Sequence, residues 1–91
     1  MSDDLHSSFR LDDGNKVDLH WNPWGACFEV FVWGYGYAGD ARFGMRDKWR
    51  VEWFADRNRD FGREFDTETE AARFLAEWLV NHKNKLLEES Q

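Results

Sequence analysis

The last third of the chain, from Phe65 to Lys83, states its structure most plainly. Thr67 followed three residues later by Glu70 is a capping box: the Thr hydroxyl accepts from the Glu70 amide, and the Glu70 carboxylate reaches back to the Thr67 amide. Ala71, Phe74, Leu75, Trp78, Leu79, His82 and Leu86 then recur at spacings of three and four, which places them along one stripe of a helix predicted over 68–87. Glu68 and Glu70 in its first turn, with Lys83 and Lys85 in its last, match the helix macrodipole. Such a helix gains little from propensity alone and needs an apolar surface to cover. The residues before it must supply a sheet.

Those residues read as strands. Ser8 to Asp12 alternates apolar and polar and runs into Asp13-Gly14-Asn15, a tight-turn signal because Gly and Asn accept positive φ. Lys16 to Trp21 alternates again, with Val17, Leu19 and Trp21 on one face, until Asn22-Pro23-Trp24-Gly25 breaks the ladder. Cys27 to Trp33 is the most β-like run and reads as a central strand, with Phe28, Val30 and Val32 on one parity and Phe31, Trp33, Tyr35 and Tyr37 on the other. The glycine-rich stretch 34–47 reads as a long loop or an extended hairpin arm, the most mobile element expected. Lys48 to Ala55 is a half-buried strand with Trp49, Val51 and Trp53 inward, and Phe61 to Phe65 a short last one. Short connections favour antiparallel neighbours. The predicted fold is α+β: a five-stranded antiparallel meander with one C-terminal helix on one face.

Ninety-one residues support one core. The expected organisation is a flexible N-terminus over 1–7, a single domain over 8–87 and a flexible tail over 88–91. The 18% aromatic content is far above that of a disordered chain. A lone cysteine, Cys27, permits no intramolecular disulfide, and neither a signal peptide nor an apolar span is evident, so a soluble cytoplasmic protein without a membrane partner is expected. The net charge of −6 argues against general duplex binding. Its distribution is uneven, because residues 41–66 carry seven bases against six acids.

The motifs that resemble chemistry lack its context. Gly34-Tyr35-Gly36-Tyr37-Ala38-Gly39 spells G-x-G-x-x-G, but no helix or βαβ unit follows it. Asp56, Asn58 and Asp60 open like a calcium loop, yet Phe61 stands where Gly is needed and Thr67 where a bidentate Glu belongs. His6, His20 and His82 show no metal-ligand spacing with one another or with Cys27, which reads as a small buried hydrophobe. No serine stands in a nucleophile elbow. Catalysis, a metal and a cofactor are not expected.

What remains is an aromatic and cationic surplus: Trp33, Tyr35, Tyr37, Arg42, Phe43, Arg46, Lys48 and Arg50. Tyr, Trp and Arg anchor interfaces because each joins a large desolvatable surface to a directional polar tip. The first functional reading is a small acidic, non-enzymatic protein-binding module of the inhibitor or immunity type, of phage or bacterial origin. It would block a nuclease or other nucleic-acid-handling enzyme through a basic partner surface. Asp12, Asp13, Asp18, Glu29 and Asp40 form its possible acidic contact face. The alternatives are single-stranded nucleic-acid binding, with bases stacked on the aromatic arm, and self-association that buries the surplus rings in a homodimer.

Overall fold

The computed structural model describes residues 4–56 and 61–89. Five strands form one antiparallel sheet in chain order, β1 (Asp4–Arg10), β2 (Lys16–Asn22), β3 (Cys27–Val32), β4 (Gly36–Phe43) and β5 (Trp49–Trp53), followed by α1 (Glu68–Glu89). The helix packs on β2 to β5, and among the described residues no second layer covers the opposite sheet face. The α+β meander with one helix is therefore the fold.

The strand count matches the sequence reading, but its membership differs. The stretch read as a loop or mobile arm contains β4, which lies between β3 and β5 and is paired on both sides. Its two glycines and two alanines hid it, since low β-propensity is overridden here by tertiary pairing. Phe61–Phe65, read as a strand, contributes a single bridge from Phe65 to Trp49. Its rings do something else: Phe61 meets Phe74 and Trp78 at 5.0 and 5.2 Å, and Phe65 meets Phe74 at 5.4 Å. The segment is an aromatic strap along one flank of α1. The first strand also begins earlier than Ser8, because a register shift between Leu5 and Ser7 interrupts the alternation that sequence periodicity detects. The acidic turn with Asn58 and Asp60 lies outside the described residues.

One register shift organises the sheet. Val30 pairs with Gly39 but Phe31 with Tyr37, so Ala38 is an extra residue in β4. Gly39 takes φ +143°, and a Cβ there would stand 2.0 Å from the Glu52 carbonyl oxygen. Only glycine fits. The extra residue also moves Tyr37 onto the same face as Asp40, which regular alternation would place opposite it.

The core lies between α1 and the other face, formed by Val17, Leu19, Val30, Val32, Ala41, Val51 and Trp53. β4 contributes small residues there, and the buried side of α1 is correspondingly small: Ala71, Ala72, Leu75, Ala76, Leu79 and Val80. The stripe is thus turned from the predicted one. Phe74 and Trp78 are half-buried at its margin, and His82 and Leu86 are exposed, because large rings have no room above glycine and alanine but find the flank formed by Trp53, Phe61 and Phe65. The Thr67 cap forms on one side only: the Glu70 amide donates to Thr67 Oγ1 at 3.1 Å, while that hydroxyl, rather than the Thr67 amide, faces the Glu70 carboxylate at 3.3 Å.

Gly39→Ala is expected to lower stability by about 3 kcal/mol, through backbone strain and the clash with Glu52, whereas Thr67→Ala removes one cap bond and costs about 1 kcal/mol. Equilibrium urea unfolding measures both, and a Gly39→Ala effect no larger than that of Thr67→Ala would contradict the bulge assignment.

Candidate functional site

The uncovered face is built by strand register. Reading across the ladders, Ser8 faces Asp18, Asp18 faces Phe31 and Phe31 faces Tyr37, while the next row runs His20, Glu29, Asp40 and Glu52. Arg10 beside Lys16 closes one corner, and Arg42 beside Arg50 closes the diagonally opposite one. Four acids and four bases share the face. In its middle, His20 packs edge-on against Phe31 at 5.3 Å, Phe31 against Tyr37 at 5.3 Å and Tyr37 against Phe54 at 6.3 Å.

Its centre of charge is Asp40, which is 3% exposed. A buried carboxylate is tolerated only with donors and a counter-charge around it. The Tyr37 hydroxyl donates to Asp40 Oδ1, and Arg42 Nη2 lies 3.7 Å from Oδ2. Arg42 also donates from Nε to Glu52 at 3.2 Å and from Nη1 to the Gly25 carbonyl, tying the β2–β3 turn to the sheet. Burial is the largest influence and works against its charge, but Glu52, Cys27 and Asp40 together outweigh it and raise the guanidinium pKa. Asn22 holds the same turn from inside, accepting from the Trp24 and Gly25 amides at 3.0 and 3.3 Å.

Cys27 lies beneath this turn, 1% exposed. Burial raises its thiol pKa first, and the negative charge of Asp40 adds to it. It is a neutral structural thiol. Among the described residues, no group of three or more His, Cys, Asp or Glu is arranged to hold a metal ion, and no helix is long and apolar enough to cross a membrane.

The residues singled out from sequence separate onto several surfaces. Trp33, Tyr37, Arg42 and Arg50 reach the open face with Asp18, Glu29 and Asp40. Trp33 is fixed at its rim by an indole bond of 2.8 Å to Asp18 Oδ2, with Lys16 Nζ 4.5 Å above the ring. Tyr35 turns the other way, packing on the core and reaching Asn84 at 3.5 Å. Phe43 lies on the helix side against Trp49. Arg46 lies within the 3₁₀ turn Met45–Asp47 and Lys48 directly follows it; Glu64 stands 4.0 Å from Arg46 and Asp66 binds Lys48, and that hydrogen bond raises the Lys48 pKa.

Asp12 and Asp13 occupy the β1–β2 turn. With Leu11, Glu77, Val80 and Asn81 they line a shallow cleft of about 360 Å³ between that turn and α1.

Sequence reading missed Arg10, Lys16 and Glu52 as members of the open face, although their alternation was visible, because β4 had not been recognised between β3 and β5. It also treated Trp24 only as part of a strand breaker, whereas the ring stands 96% exposed on the braced turn. No family model, curated protein or solved structure matches the chain.

Because the folded thiol ionises at higher pH than the unfolded one, the Cys27 contribution to stability is complete below the ordinary cysteine pKa, near 8.5, and falls as pH rises above it. Cys27→Ala should flatten this alkaline decline in urea-unfolding free energy, and an unchanged decline would contradict the assignment. A thiol-specific disulfide reagent should modify native Cys27 at least about a hundredfold more slowly than the urea-unfolded chain.

Proposed function

We propose that this protein is a non-enzymatic binding module of the inhibitor or immunity type, which engages a basic protein surface through the acidic side formed by α1 and the β1–β2 turn. One observation carries the reading: charge is segregated. The open sheet face balances four acids with four bases, so the net charge of −6 belongs to the rest of the chain. On that remaining surface, Asp12, Asp13 and Glu77 gather around one cleft. Such a field speeds encounter with a cationic partner and disfavours an anionic one. A nuclease or another enzyme that handles nucleic acid presents the matching surface, since its substrate channel must be basic to hold phosphates.

Nucleic-acid binding by the aromatic arm fits less well. Arg42 pairs with Glu52, Lys48 with Asp66, and Arg46 lies beside Glu64, so of the four cations that could hold phosphates, Arg42, Arg46, Lys48 and Arg50, three already face carboxylates. The rings proposed for base stacking also diverge, Tyr37 to the open face and Phe43 to the helix side.

The test is affinity capture from a bacterial lysate with the tagged chain, with and without nuclease treatment, using Asp12→Lys/Asp13→Lys as comparison. A stoichiometric basic protein that survives nuclease, with an affinity reduced about tenfold or more by the double reversal, is expected. Capture abolished by nuclease would overturn the reading, as would a partner indifferent to both reversals.

A further inference from the structure

We propose that the open sheet face binds the same face of a second copy, giving a two-fold dimer with both helices outward. This inference is independent of the partner reading, since it uses the other side of the sheet.

Charge selects the occupant. Two copies of a chain with net charge −6 repel each other over most of their surface. The open face is where that penalty vanishes, because Arg10, Lys16, Arg42 and Arg50 balance Asp18, Glu29, Asp40 and Glu52. A strongly basic partner or a polyanion gains nothing from a neutral face, whereas a second copy does. The arrangement is also self-complementary. Arg10 and Lys16 hold the β1–β2 corner, and Glu29 on β3 and Glu52 on β5 stand on either side of the buried Asp40 in the carboxylate row. A two-fold axis between them brings each corner over the partner's row, the reciprocal contact an isologous interface requires.

The centre of the face supplies the apolar part. Phe31 and Tyr37 are half-buried, Phe54 is 36% exposed and Trp33 is 60% exposed at the rim, with Trp33 already fixed by Asp18 and Lys16. A ring held in place before binding loses little entropy on association. Five strands about 4.8 Å apart and about 20 Å long span roughly 500 Å² on each copy, or about 1,000 Å² for the pair, which is the size of a weak, transient interface. The expected dimer is a weak, reversible one.

Sedimentation equilibrium of the full chain over about 5–500 µM tests this. The wild type is expected to pass reversibly from its monomer mass of 10.9 kDa to twice that value. Arg10→Glu/Lys16→Glu, at sites outside the core, should weaken association at least tenfold while leaving the thermal melt cooperative. Mixing that variant with Glu52→Lys should restore a mixed dimer by exchanging the charges across the axis. A wild type that stays monomeric throughout, or a dimer that survives the Arg10/Lys16 reversal unchanged, overturns the proposal. The capture experiment decides the foreign-partner reading separately.

Discussion

The structure depends on a backbone constraint at Gly39. Its positive φ and the carbonyl of Glu52 against its Cα allow one extra residue into β4, and that residue resets which side chains face which way. Downstream of the bulge, Asp40 and Arg42 point to the open face; upstream, Tyr37 does so as well. The Tyr37–Asp40 hydrogen bond exists because of this shift, and it joins Tyr37 to the Asp40–Arg42–Glu52 cluster. On the other side of the same strand, the small residues define which part of α1 can settle onto the sheet.

Packing and electrostatics then divide the molecule in two. Below the sheet, aliphatic and alanine side chains exclude water, and the large rings are displaced to a flank where Phe61, Phe65, Phe74 and Trp78 pack mutually. Above it, charges of both signs surround an aromatic centre. Burying Asp40 is costly unless its donor and counter-charge stay in place; Tyr37 is the donor and Arg42 the counter-charge, which also pins the β2–β3 turn. A single guanidinium therefore couples the charge balance of the open face to the position of Trp24.

The helix and four of the strands were legible because each carries a signal of its own: the cap at Thr67 and the apolar repeats of α1, the alternation in β1, β2 and β5, and the unbroken β-branched and aromatic run of β3. β4 was not. Gly36-Tyr37-Ala38-Gly39 lacks β-branched residues, and the bulge destroys whatever alternation it has, so its strand character comes from neighbours on both sides rather than from its own sequence. Losing β4 also hid the candidate site, since Asp40 and Arg42 could not be assigned to a face without its register. The acidic residues were legible as types, but their division between a balanced face and a net-acidic side is a property of the folded sheet.

Amide hydrogen exchange followed residue by residue by NMR tests the central role of β4 most directly. Slow exchange for the paired amides of Gly39 to Phe43, comparable to those of β3, is the result this structure predicts. Fast exchange across Gly36–Phe43, with β3 and β5 still protected, would make the segment a mobile arm and remove the basis for the open face described above.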